Sequence, residues 1–328
     1  MSDWKQYLSQ QAERSGDELN SIMQGIAQNR LREASSHMVL SGGKRLRAVL
    51  PMMSAGAVGG DPNTARAWGL SLEIIHNFTL IHDDIMDGDE TRRGKKTVHF
   101  IYGNATAINA GDVLFARAIE VLDDVDASPD VRLKLYHELG SMVRHIGEGQ
   151  QQDMDFEDRD DVTEQEYLNM IEGKTSRIFD SALWGGALLG GADEETAKKL
   201  GKSGRLAGMG FQIWDDYLDL MSTVEKLGKP VGSDIRNGKK TLMVLHFLEN
   251  AREDDKETFF RIFKHDDATD MQIDTVRELF RSTWTLKHVE DTCADYIRQT
   301  RELTLNLPEN EYREHLQDVL RYMVNRDV

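Results

Sequence analysis

The sequence holds one Cys, five Pro and no apolar run approaching the roughly 18 residues of a membrane span. A single Cys excludes an internal disulfide framework and a cysteine-rich zinc module, and points to a reducing compartment. The opening residues carry neither the basic start nor the apolar stretch of a secretory leader, so the expected setting is the cytoplasm, with no transmembrane segment. Positive charge is also scarce: 40 Lys and Arg stand against 57 Asp and Glu, a net charge of −17 over 328 residues. That balance argues against holding nucleic acid through a wide phosphate-binding surface. Local basic clusters therefore carry more information than their number suggests. Hydrophobic residues make up 39% of the chain, enough at this length for a sizeable core.

Apolar residues recur at three- and four-residue spacing between short Gly, Asp or Pro punctuation, with little sustained alternation, so the fold class is all-α. Asp61-Pro62 reads as an N-cap followed by proline at the first helical position, opening a helix to about Met86. Thr163 and Glu166 form a capping-box pattern flanked by Val162 and Tyr167 as a hydrophobic staple, and that helix is expected to carry Lys174 and Thr175. A third helix is expected from near Asp193 to about Met221, despite Gly201, Gly204, Gly208 and Gly210. The stretch from Ser222 to Lys240, rich in Gly and Lys, reads as a long loop of the kind that forms functional lids. No linker, repeat or low-complexity tract interrupts the chain, which reads as one domain over 1–328.

Two aspartate clusters stand out. In His82-Asp83-Asp84-Ile85-Met86-Asp87, Asp83 and Asp87 are four apart and lie about 40° from each other around a helix, within reach of one cation. His76 and Thr79 continue that face, while Leu70, Ile74, Phe78, Ile81 and Ile85 line much of the remainder. A helix apolar almost all round is buried, so something positive must meet its carboxylates. Asp215-Asp216-Tyr217-Leu218-Asp219 repeats the interval among large apolar residues, with Gln212 on the face of Asp215. Oxygen-only donors suit a hard cation, and magnesium usually takes one or two carboxylates, filling its shell with water and substrate phosphates. The pattern implies a phosphorylated ligand. Neither cluster matches the twelve-residue calcium loop.

Basic groups adjoin both clusters. Gly42-Gly43-Lys44-Arg45-Leu46-Arg47 joins three cations to two glycines that permit backbone approach to an anion, Arg92-Arg93-Gly94-Lys95-Lys96 follows the first cluster, and Lys229, Lys239 and Lys240 follow the second. Such charge sorting fits a diphosphate, with Arg suited to bidentate contacts and Lys to a compact charge.

On these motifs the chain resembles the trans-isoprenyl diphosphate synthases of the polyprenyl synthetase family, most closely a short-chain geranylgeranyl diphosphate synthase. The likeness extends from Gly42 through both aspartate clusters to Gly228-Lys229-Pro230 and Asp234-Ile235-Arg236-Asn237-Gly238-Lys239-Lys240-Thr241. It implies a single-domain helical bundle around a central cavity, in which three Mg²⁺ ions link Asp83, Asp87 and Asp215 to an allylic diphosphate while Asp84, Asp216 and Asp219 support metals and bound water. By similarity Arg92, Lys174, Lys229 and Lys239 hold the allylic diphosphate, and Lys44, Arg47, His76 and Arg93 hold isopentenyl diphosphate. Gln150 and Asp153 match a further active-site pair, as do Thr175 and Gln212, which the resemblance sets near the allylic cation. In this family the aromatic residue fifth before the first cluster limits product length. Phe78 occupies that place and the small Thr79 the fourth, which favours a twenty-carbon product. The resemblance further implies a homodimer. His82 and His99 read as packing residues. A farnesyl diphosphate synthase, a catalytically silent partner subunit, a terpene cyclase and a magnesium-dependent phosphohydrolase are the competing readings. The second aspartate cluster and the basic groups for a second diphosphate speak against the cyclase, and the six intact aspartates against the silent subunit.

Overall fold

Three- and four-residue apolar spacing becomes helix through nearly all of the residues that the computed structural model describes, 3–223 and 231–324. In chain order the helices are α1 Trp4–Gln24, α2 Asn29–Val39, α3 Leu46–Ala57, α4 Arg66–Met86, α5 Val98–Tyr102, α6 Asn104–Val121, α7 Pro129–Phe156, α8 Glu164–Ile171, α9 Arg177–Leu189, α10 Glu194–Met221, α11 Ser233–Arg236, α12 Leu242–Asn250, α13 Glu253–Phe260, α14 Asp270–Ser282, α15 Thr285–Thr304 and α16 Glu311–Val324. A short hairpin, β1 Thr91–Arg92 with β2 Lys95–Lys96, joins α4 to α5, its register pairing Arg92 with Lys95. Its two turn residues, Arg93 and Gly94, have φ of 53° and 73°, as a tight two-residue hairpin requires.

The start signals explain the helix entries. Asp61 accepts from the Asn63 N–H at 2.9 Å, but Pro62–Ala65 form a 3-10 turn, so α4 proper begins one turn later than expected and ends at Met86. The Thr163–Glu166 capping box forms in both directions, and Asp193 caps α10 through the Thr196 N–H at 2.7 Å. Two expectations change. Lys174 and Thr175 do not lie on the α8 helix: the backbone widens into a π turn, Glu172–Ser176, before α9. The stretch from Ser222 to Lys240 is not loop throughout, because α11 forms within it; Gly228, Lys229 and Pro230 lie outside the described residues.

Two units separate by their internal contacts. The first comprises residues 1–143, 178–204 and 303–319. Here α4 packs against α3 and α6 around Leu50, Met53, Trp68, Leu72, Ile75 and Leu114, all fully buried. The buried Trp68 indole donates to the Ser181 carbonyl at 3.0 Å, so its one polar atom is satisfied. Residues 144–177, 205–302 and 320–328 form the second unit. Its core includes Phe247, Phe259 and Phe280, with ring centroids 5.0 to 5.9 Å apart. Among the described residues no helix is long and apolar enough to cross a membrane.

Candidate active site

The first unit holds the first aspartate cluster and a nest of arginines. Asp84 is fully buried and accepts a short hydrogen bond from Arg92 Nε, while Arg92 Nη2 stands 3.6 Å from Asp83 and 3.4 Å from Asp89. Burial raises the Asp84 carboxyl above its ordinary range, and Arg92 pulls against that shift. Asp83 is partly exposed and Asp87 is exposed. The expectation that this whole cluster is buried therefore holds only for Asp84, since α4 ends at Met86 and carries Asp87 out of the apolar environment. In this arrangement Arg92 orders the cluster from within.

About two and three turns earlier on α4, His76 and Glu73 face the loop that enters α3. Arg45 takes a left-handed conformation, φ 50°, and its side chain is buried, with Nη1 3.0 Å from Glu73 Oε1 and Nη2 donating to the Val39 carbonyl. A bulky residue in that region is held there by its surroundings, which the buried ion pair supplies. Arg47 stacks on Phe179 with its guanidinium carbon 4.8 Å from the ring centre. Burial lowers its pKa to about 10, with Glu73 opposing the shift and Arg93 adding to it. Arg93 donates to the Gly42 carbonyl at 2.8 Å and so ties the hairpin to the glycine loop; Lys44 beside it is exposed. Burial, then Arg47, Arg93, Arg92 and Arg45 in turn, hold His76 well below its ordinary 6.5. A neutral imidazole beside several guanidinium groups, one buried carboxylate opposing them, makes a region poised for an anion.

Phe78 lies 4.9 Å, centroid to centroid, from His82 and 5.8 Å from Phe115 of α6. The Thr79 hydroxyl donates to the His76 carbonyl at 2.9 Å. His82 Nε2 meets the Ile108 carbonyl at 3.2 Å over Gly111, where a side chain would collide with the imidazole. His99 pairs with Thr97 at 3.2 Å. Both histidines have the packing roles expected of them.

The second unit presents the other cluster on α10. Asp215 is partly exposed, whereas Asp216 and Asp219 are buried. Asp219 Oδ2 accepts from the Asp234 N–H at 3.0 Å and its carbonyl from the Gly232 N–H at 2.8 Å, which binds α11 to the cluster. Asp216 accepts from Tyr167 Oη at 2.6 Å and from Gln212 Nε2 at 2.8 Å, and Gln212 Oε1 accepts from Thr175 Oγ1 at 2.8 Å. Burial first and Asp234 second raise the Asp216 pKa to about 7, against the pull of these donors. Lys174 Nζ lies 2.5 Å from Asp153 Oδ2, and Gln150 is half-buried one turn earlier on α7. The π turn brings both contacts about: it sits so close to α7 that a Cβ on Gly149 would strike the Lys174 backbone. Lys239 is half-buried three residues beyond α11, its N–H donating to the Asp234 carbonyl at 2.9 Å, and Lys240 donates to the Phe156 carbonyl at 2.7 Å.

Residues 28–280 match the family model described as polyprenyl synthetase. The chain belongs to the polyprenyl synthetase family. It is 40% identical over 320 residues to the short chain isoprenyl diphosphate synthase of Methanothermobacter thermautotrophicus, covering 98% of each chain. It is likewise 40% identical over 297 residues to the geranylgeranyl diphosphate synthase of Methanosarcina mazei, covering 90% of each. The crystal structure of geranylgeranyl pyrophosphate synthetase from Pyrococcus horikoshii superimposes with a TM-score of 0.93 at 38% identity over 99% of both chains. The described residues thus have the all-α polyprenyl synthetase fold, and the protein is a prenyltransferase. The sequence marked Arg45 only as a cation beside the glycines and left two polar anchors unassigned, Glu73 in the first unit and Tyr167 in the second. Glu73 left a signal, being the lone acid in the apolar run from Trp68 to Ile81. Tyr167 left none beyond its staple position.

Proposed function

We propose that this polyprenyl synthetase joins isopentenyl diphosphate to an allylic diphosphate and makes geranylgeranyl diphosphate as its main all-trans product. The observation that carries the reading is the arginine nest about His76, directly before an aspartate cluster on the same helix. A diphosphate held at the nest and a second, metal-bound one at the aspartates are the two anions the condensation needs. Arg47, Arg93, His76 and Lys44 hold isopentenyl diphosphate; Lys174, Lys239, Lys229 and Arg92 hold the allylic diphosphate, and both aspartate clusters serve that substrate. The chain acts as one domain over 1–328, as a cytoplasmic homodimer.

Magnesium fits the donors. They are carboxylate oxygens throughout, and the buried Asp84 Oδ2 meets no hydrogen-bond donor among the described residues. Asp83, Asp87 and Asp215, the more accessible members of the clusters, would hold the three expected ions, and Asp84, Asp216 and Asp219 would position them. When bound, the ions stabilise the departing diphosphate.

In the reaction the allylic carbon–oxygen bond breaks, the electron pair leaving with the diphosphate. Lys174 and Arg92 stabilise the departing charge, and Thr175 and Gln212 face the allylic cation with neutral oxygens. The alkene of isopentenyl diphosphate, oriented by Arg47 and Arg93, forms the new carbon–carbon bond, and the released diphosphate takes the proton lost from the neighbouring carbon. His76, held neutral, can donate one hydrogen bond to a phosphate oxygen without adding charge. Phe78, backed by His82 and Phe115, limits the growing chain.

Incubating the protein with Mg²⁺, isopentenyl diphosphate and dimethylallyl, geranyl or farnesyl diphosphate, then resolving products by mass spectrometry, tests the reading. A twenty-carbon diphosphate is expected. Hydrolysis alone, a cyclic hydrocarbon or no turnover would refute it. Asp83→Ala and Asp215→Ala should each abolish turnover with melting unchanged, and near-normal activity in both would remove the metal assignment.

A further inference from the structure

The hydrogen-bonded chain Thr175–Gln212–Asp216–Tyr167 links the hydroxyl proposed to face the allylic cation to a buried tyrosine on α8. We propose that Tyr167 is a positioning residue: through Asp216 and Gln212 it fixes the direction of the Thr175 hydroxyl, so that its lone pairs face the allylic cation. The inference rests on the prenyltransferase reading of the same site.

With Asp216 ionised, each link has one direction. Both Asp216 oxygens accept, Oδ2 from Tyr167 Oη at 2.6 Å and Oδ1 from Gln212 Nε2 at 2.8 Å. Once Gln212 gives its NH₂ to a carboxylate, its Oε1 is the atom turned toward Thr175, and that oxygen has no proton to offer. Thr175 must therefore donate, which it does at 2.8 Å. A hydroxyl that has spent its proton inward presents only lone pairs outward, the polarity that a positive carbon needs. Reversing any link would set two donors or two acceptors against each other at the next.

Tyr167 anchors the chain because it is the member that cannot turn away. It is 2% exposed, occupies the staple position after the Thr163 capping box, and has its hydroxyl placed by the start of α8 rather than by the π turn. Without its donor, Asp216 Oδ2 would be left buried and short of a partner. The carboxylate would rotate, and Gln212 would be free to flip its amide and offer NH₂ to Thr175. The π turn has a matching role: it moves Thr175 off the α8 helix and into reach of Gln212.

A double-mutant cycle tests the coupling. Tyr167→Phe keeps the ring and deletes the donor, and it should lower kcat about tenfold, the scale of one hydrogen bond to a charged group, with both substrate KM values within about twofold of wild type. Thr175→Val should lower kcat at least as much, and Thr175→Ser should restore most of it. In the Thr175→Val background, Tyr167→Phe should cost nothing further. Losses that multiply in the double variant, or a Tyr167→Phe defect confined to KM, would overturn the assignment. Should Tyr167→Phe fail to show a cooperative melt, the same cycle is run with Gln212→Met, and multiplying losses there overturn it equally. Wild-type protein in the same assay separates the two ideas: absence of condensation by wild type refutes the proposed function, whereas an active wild type with an additive cycle refutes only the role of Tyr167.

Discussion

Replacing Arg45 with Met removes one half of an ion pair in which both side chains are 4% exposed. Three things are lost together: the 3.0 Å contact to Glu73, the hydrogen bond to the Val39 carbonyl, and the restraint that holds residue 45 at φ 50°. Breaking a buried pair from one side costs about 3–5 kcal/mol, because the surviving charge stays desolvated. Here the lower end applies, since Glu73 also feels the positive charge of Arg47 and Arg93. At about 2–4 °C per kcal/mol for a unit of 150–250 residues, the melting temperature should fall by about 6–12 °C. Arg45→Met with Glu73→Leu should recover only part of that loss, because the unpaired carboxylate is gone but Arg47 and Arg93 lose the charge that opposed theirs. The functional consequence has the same origin. A carboxylate released by Arg45 pairs with Arg47 or Arg93 and occupies the anion region, so KM for isopentenyl diphosphate should rise in the single variant with little change in KM for the allylic substrate. Scanning calorimetry and steady-state kinetics on the three proteins decide it. A single variant that melts within about 2 °C of wild type, or a double variant no better than the single, would refute the reasoning.

Gly149→Ala places a methyl group against the Lys174 backbone, 2.9 Å from both Lys174 Cα and the Met170 carbonyl, so overpacking should cost about 1–3 kcal/mol and raise KM for the allylic diphosphate; wild-type melting and kinetics would show that the π turn can move. Phe78→Ala should shift products beyond twenty carbons, read by mass spectrometry, and an unchanged distribution would remove Phe78 as the stop. His246 stacks on His288 at 4.2 Å and shares a hydrogen bond with Thr285, and burial first and His288 second lower its pKa below the ordinary 6.5. The unfolded chain then binds that proton more tightly, so this contribution to stability is complete above about pH 6.5 and is lost as the pH falls toward the folded value. Between about pH 7.5 and 5.5 the wild type should therefore lose more melting temperature than His246→Asn; parallel losses would exclude His246 as the cause.

The sequence by itself determined the all-α class and the entries of α8 and α10, because apolar periodicity, Thr163 with Glu166, and Asp193 act within a few residues of where they stand, while Asp61 caps a 3-10 turn just ahead of α4. It likewise determined which residue types could meet a diphosphate and a hard cation, since that chemistry belongs to the side chains wherever they come to lie. Tertiary structure decided what periodicity cannot encode. Whether an aspartate is buried depends on where its helix stops, so Asp84 is enclosed while Asp87, just beyond the last turn of α4, is in water. The π turn at Lys174 and Thr175 arises from the close approach of α7 at Gly149, over twenty residues away in the chain, and no local propensity announces it. The anchors Arg45–Glu73 and Tyr167–Asp216 pair residues 28 and 49 positions apart, and only packing creates the low-dielectric setting in which their charges and protons have a single direction.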